Sequence, residues 1–139
     1  MRVLLVRPPR MKQSINLGEV MYSEPIGLEM VYTVLENDHE VEIFDMMAEN
    51  KDLIEKIKDY APDIVGLTSL CIDVEPVLSM AEKIKEYKED IEIVAGGTQA
   101  FFSPESFYSS YIDHVMKFTT EQNLTALFKY IGLNLKKEN

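Results

Sequence analysis

The sequence predicts one α/β domain: five parallel strands in the order 2-1-3-4-5, with helices on both faces. Three observations lead there. Strand-like and helix-like segments alternate along all 139 residues, as in a parallel sheet joined by crossover helices. Val3-Leu4-Leu5-Val6 and Ile64-Val65-Gly66-Leu67 are uninterrupted runs without a charged residue, which suits central strands buried on both faces. Ile91-Glu92-Ile93-Val94-Ala95 ends on Gly96-Gly97, where two missing side chains permit positive φ and a ligand lying directly on the main chain.

Val3-Leu4-Leu5-Val6 forms the first strand. Leu28, Val31, Tyr32 and Leu35 then share one helical face, and Pro25 opens that helix where its missing N–H costs nothing. Val41-Glu42-Ile43-Phe44 is the second strand, followed by a helix aligning Leu53, Ile57, Tyr60 and Ala61. After the third strand, Val74, Val77, Leu78, Ala81 and Ile84 make the clearest amphipathic stripe. Asp73 is its expected cap, with Pro76 in the first turn. Ser103-Pro104 reads as a cap followed by the first helical position, and residues 115–118 supply a fifth strand. Leu124, Leu127, Phe128 and Ile131 line the last helix, with Thr119 and Gln122 as its capping box. The core is expected over 2–131 of a single domain, 1–139, with 132–139 a polar tail or linker. Glu42 and Lys117 place strands 2 and 5 at the edges. This is the flavodoxin-like arrangement, whose switch point falls between strands 1 and 3, near Arg7 and Thr68.

Composition narrows the function classes. A formal net charge of −10 and a pI near 4.6 argue against a polyanionic partner such as nucleic acid. One cysteine, Cys71, excludes an internal disulfide or a multi-cysteine metal site within this chain. The amino-terminal apolar run stops at Arg7-Pro8-Pro9, too short for a signal peptide, and no segment has the ~20 apolar residues of a membrane span. A soluble, cytoplasmic chain is expected.

The stretch from Arg7 to Glu24 exceeds the usual βα connection of about 2–6 residues. It carries Arg7, Arg10 and Lys12, which suit either a phosphate or domain-docking role or a solvated loop. Thr68-Ser69 ends the central strand, where a hydroxyl can bond a heterocycle or simply cap the turn. His39 and His114 precede strands, at the opposite edge, and are assigned no ligand. Cys71 is expected as a small buried hydrophobe beside the site. Phe101 and Phe102 line a pocket or fill core, and Phe118 is expected in the core. No G-x-G-x-x-G or G-x-x-x-x-G-K-[ST] is present. Arg7-Pro8 and Thr68 stand where a phosphoacceptor receiver needs acids.

Several stretches together resemble one family. They are Val3-Leu4-Leu5-Val6-Arg7-Pro8-Pro9, Glu24-Pro25-Ile26-Gly27-Leu28, His39-Glu40-Val41-Glu42-Ile43-Phe44-Asp45, Pro62-Asp63-Ile64-Val65-Gly66-Leu67-Thr68 and Val94-Ala95-Gly96-Gly97. In order and spacing the chain is similar, over about residues 2–131, to the cobalamin-binding domain at the amino terminus of cobalamin-dependent radical S-adenosylmethionine enzymes. That group includes magnesium-protoporphyrin ester cyclases and radical methyltransferases. The superfamily holds the cofactor's nucleotide tail with S-x-L after strand 3 and G-G after strand 4, matched here by Thr68-x-Leu70 and Gly96-Gly97. Its D-x-H-x-x-G cobalt-ligating motif is absent, so the resemblance implies cobalamin held without a protein His ligand.

The cofactor-binding set implied is Pro8, Pro9, Arg10, Glu24, Gly27, Thr68, Ser69, Leu70, Cys71, Gly96, Gly97, Thr98, Phe118, Thr119 and Glu121. A side chain at Gly97 is expected to collide with the bound tail or to twist the turn away from positive φ; at the rim the fold should survive it, with some destabilisation if φ is positive. The R-G-E-G-E stretch frequent after strand 5 is replaced by Lys117-Phe118-Thr119-Thr120-Glu121. No C-x-x-x-C-x-x-C is present, so an iron–sulfur cluster and S-adenosylmethionine would belong to a separate catalytic domain, in cis or trans, and no catalysis is expected from this chain alone. Two alternatives stay open: a domain that has lost its ligand and acts as a docking scaffold, or one that binds another nucleotide-tailed cofactor.

Overall fold

The computed structural model describes residues 1–9 and 24–138. The strands are β1 (Arg2–Arg7), β2 (Glu40–Asp45), β3 (Ile64–Thr68), β4 (Glu92–Gly96) and β5 (His114–Val115), and the helices are α1 (Ile26–Leu35), α2 (Leu53–Tyr60), α3 (Val74–Tyr87), α4 (Thr98–Phe102) and α5 (Glu121–Glu138). All strand pairings are parallel, in the order β2-β1-β3-β4-β5. The predicted topology is the observed one.

Side chains alternate across the sheet and build a core on each face. On one face Leu4, Val6, Val65, Leu67, Ile93 and Ala95 pack beneath α2 and α3, meeting Ile57, Val77, Ala81 and Ile84. On the other, Val3, Leu5, Ile64 and Val94 meet Leu28 and Leu35 of α1 and Leu124, Phe128 and Ile131 of α5. The second face is the one that leaves room at its carboxyl end.

Several local expectations are corrected. Asp73 precedes α3 but does not cap it; its carboxylate accepts the Leu70 N–H at 2.8 Å and closes a short 3₁₀ turn, Cys71–Asp73. Thr120, not Thr119, caps α5, its Oγ1 accepting the Asn123 N–H at 3.2 Å. Ser103 makes no side-chain cap, and Pro104 opens a 3₁₀ turn to Phe107. Ala61 lies beyond α2 in the left-handed region (φ 50°) and ends it. Asp52 caps α2, accepting from the Ile54 and Glu55 N–H groups. β5 covers His114–Val115 and excludes Lys117: β4 ends at Gly96, and after Met116 N–H bonds the Ala95 carbonyl there is no strand left to pair with. α5 continues through residues 132–138, and Leu135 packs on the second core. Among the described residues no helix is long and apolar enough to cross a membrane.

Candidate functional site

Among the described residues, two adjoining cavities open at the carboxyl edge of the sheet. The inner one, about 150 Å³, lies between the sheet and helices α1 and α5. Leu5, Gly66 and Val94 form its floor, Leu28 and Val31 one wall, Leu124 and Phe128 the other, and Met116 completes it. Among the described residues its polar side chains are those of Thr68 and Thr119. The outer cleft, about 580 Å³, is bordered by Arg7, Pro8 and Pro9 at the end of β1, Glu24 to Leu28 at the start of α1, and Thr68 to Leu70 at the end of β3. Ile72, Asp73, Gly97, Thr98 and Met47 complete its rim. Gly27, Leu28, Thr68 and Gly97 border both spaces, so an apolar chamber opens through a shared doorway into a wider, mixed surface.

The glycines play two different parts. A Cβ on Gly27 or Gly96 would meet nothing within 4 Å. These two keep space open where the backbone itself would accept any residue. Gly97 has φ +93°, and its Cβ would stand 2.7 Å from the Ser69 nitrogen and 2.8 Å from the Ser69 oxygen and Thr68 Oγ1. A side chain there strikes the loop after β3, so it collides with the protein itself and not only with a bound tail, and the positive φ meets the condition for the expected destabilisation. The close approach follows from a latch: the Ser69 N–H and hydroxyl both donate to the Gly96 carbonyl, at 3.1 and 2.9 Å, and the Ser69 carbonyl accepts from Gln99 N–H at 3.2 Å. Ser69 is only 2% exposed, so its hydroxyl serves the loop.

Arg7 borders the cleft, yet its guanidinium is engaged by buried Asp45, with Nε donating to Oδ1 at 2.7 Å and a second contact through Nη2. Asp45 Oδ1 also accepts the Met47 N–H at 3.0 Å, so the pair ties the ends of β1 and β2. Burial pushes the Asp73 carboxyl above its ordinary value, opposed by its bond from Leu70 N–H.

Of the fifteen residues implied by sequence, Pro8, Pro9, Glu24, Gly27, Thr68, Ser69, Leu70, Gly96, Gly97, Thr98 and Thr119 border one cavity or both. Arg10 lies outside the described residues. Cys71 is exposed and borders neither cavity; the 3₁₀ turn lifts it off the sheet, correcting its expected burial. Phe118 is 53% exposed, because the chain leaves the sheet before it, which corrects its assignment to the core. Phe101 and Phe102 are exposed too, and Phe101 packs edge-on against Phe102 and Phe118 at 4.9 and 5.6 Å between centroids. Glu121 begins α5 and borders neither cavity. His39 packs against the Phe128 ring with its Nδ1 buried and unpartnered. His114 Nε2 lies 2.8 Å from Glu92 Oε2. Neither histidine borders the two cavities. The chamber walls were missed, since Leu28, Val31, Leu124 and Phe128 carry the same helical periodicity whether they cover core or cavity.

The B12 binding domain family model matches residues 20–128. An uncharacterized methyltransferase of Pyrococcus horikoshii is 32% identical over 108 residues, covering 76% of this chain and 23% of its own length. The solved structure of the cobalamin-dependent S-adenosylmethionine radical enzyme OxsB, with aqua-cobalamin and S-adenosylmethionine bound, is similar at a TM-score of 0.76 and 24% identity. That match spans 99% of this chain and 19% of OxsB. A cobalamin-binding protein from Desulfitobacterium hafniense DCB-2 gives a TM-score of 0.66 at 17% identity, over 94% of this chain and 58% of the other. At these identities the two structures establish the fold. The chain spans about a quarter of the curated relative it matches.

Proposed function

The chain belongs to the B12 binding domain family, and on that premise we propose that it is the cobalamin-holding module of a larger radical S-adenosylmethionine enzyme, such as a methyltransferase. The observation that carries the reading is the two-part site. An apolar chamber kept open by Gly96 and Gly27 suits the ring of the cofactor's nucleotide tail. The wider cleft beyond the shared doorway suits the corrin. Cobalamin, when bound, supplies the organometallic chemistry of its cobalt. The residues of this chain bind and orient it: Thr68 stands at the doorway with a hydroxyl for the tail, Thr119 stands at the chamber mouth, and Pro8, Pro9 and Glu24 flank the corrin.

No histidine of this chain ligates the cobalt in this reading, because His39 and His114 are its only two and neither reaches the cleft. Radical chemistry falls to another domain. Two features support this: relatives of which the chain spans 19% and 23%, and exposed Leu70, Ile72, Phe101 and Phe102 at the same edge of the sheet.

The test is retention of a corrin absorption spectrum after incubation with hydroxocobalamin and desalting. Retention by the wild type, unchanged when His39 and His114 are both replaced by Gln, is expected. Loss of the corrin under every redox condition would refute the assignment, and a spectral change confined to the double variant would refute the histidine-free mode.

A further inference from the structure

We propose that the inner chamber selects among cobamides by the chemistry of the lower base, accepting an apolar ring such as a benzimidazole and disfavouring a purine. This selectivity rests on the reading above, that the nucleotide tail enters the chamber. The walls presented by Leu5, Leu28, Val31, Val94, Leu124 and Phe128 are hydrocarbon, and Met116 adds a thioether, a weak acceptor. Thr68 and Thr119 supply the polar side chains among the described lining residues, and Thr119 is exposed at the mouth.

The nearby backbone offers little compensation. The Ala95 carbonyl already accepts from Met116 N–H at 2.8 Å, and the Gly96 carbonyl accepts two hydrogen bonds from Ser69. A dimethylbenzimidazole brings methyl groups and carbon edges to such walls. Adenine brings an amino donor and additional ring-nitrogen acceptors. Thr68 can partner one of these groups; the others are buried without partners. A buried unsatisfied polar group lowers affinity about 5- to 150-fold, and an apolar pocket disfavours a polar isostere by about 10²-fold.

The experiment compares three corrinoids with the full chain: cobalamin, the adeninyl cobamide and cobinamide, which lacks the nucleotide. Titrations are run anaerobically in the cob(I) state, where no base is held by the cobalt. We expect cobalamin to bind at least about tenfold more tightly than the adeninyl form, with cobinamide weaker than cobalamin. Met116→Gln, which brings an amide into the wall at similar volume, should narrow the cobalamin preference at least about threefold. Equal affinities for the two complete cobamides would overturn the selectivity while leaving cobalamin binding in place. Cobinamide binding as tightly as cobalamin, or an unchanged ratio in Met116→Gln, would place the base elsewhere and overturn it too. Failure to bind any corrinoid would remove the functional reading itself.

Discussion

Replacing Gly96 by Val separates ligand space from folding. Gly96 closes β4 opposite Thr68 of β3, its φ is not among the positive values of the chain, and a Cβ there meets nothing within 4 Å. The valine Cβ therefore meets open space, and its methyl groups extend beside the chamber of about 150 Å³ that Gly96 lines. In the ligand-free chain, a β-branched residue in place of strand glycine should add about 0.5–1 kcal/mol through lower unfolded-state entropy and better strand propensity. For 139 residues that raises Tm by about 2–3 °C. For the bound cofactor, the methyl groups occupy volume that the tail needs, and overpacking of this kind costs about 1–3 kcal/mol, a roughly 5- to 150-fold loss of affinity. Thermal denaturation of the free variant and a cobalamin titration measure the two effects. Wild-type affinity in a folded Gly96→Val chain would show that the tail does not use this chamber, and a drop in the free chain's Tm would contradict the open space at Gly96.

Gly97→Ala should behave oppositely. With φ +93° and Ser69 backbone atoms 2.7–2.8 Å from the new Cβ, it should lose at least about 1–2 kcal/mol, read as a lower urea midpoint; an unchanged midpoint would remove the strain. Asp45→Ala removes the carboxylate that the half-buried Arg7 guanidinium and the Met47 N–H both engage and should cost up to about 3–5 kcal/mol, whereas a loss below about 1 kcal/mol would rank the pair with surface ion pairs. His39 is held below its ordinary pKa of 6.5, chiefly by burial and also by the amino terminus, with Asp38 opposing. The unfolded chain therefore binds this proton more readily, so stability is full above pH 6.5 and declines as the pH falls below it toward the folded value. His39→Phe, which also removes the unpartnered Nδ1, should flatten that part of the pH–stability curve, and an identical acid slope in both proteins would count against His39 as its source.

The sheet order was legible because burial leaves a simple mark. β1 and β3 are apolar throughout their centres, while β2 carries Glu42, whose carboxylate pairs with Lys56 at the edge of the sheet. Most of the site rim was legible through the resemblance carried by stretches such as Glu24-Pro25-Ile26-Gly27 and Pro62–Thr68, while Gly96-Gly97 also stood out on its own as a glycine pair closing an apolar strand. Cap details were not, because Thr119 and Thr120 offer the same hydroxyl and only the exit path from β5 decides which one meets Asn123 N–H. Cys71 and Phe118 were misplaced because apolarity alone does not tell whether a loop rises off the sheet. The chamber walls stayed hidden because a cavity is a property of distance between α1, α5 and the sheet, and no single residue type records it.

The Ser69 latch has a consequence for how this edge of the protein can change. The N–H and hydroxyl of Ser69 saturate the Gly96 carbonyl, and Gln99 N–H occupies the carbonyl of Ser69. The strand ends thus satisfy one another and lean on no ligand for their shape. Wall residues such as Val31, Val94 and Leu124 are thereby uncoupled from the loops that define the opening. Substitution can reshape the interior while the entrance keeps its geometry, so altered ligand preference and retained architecture are reachable by single steps from this sequence.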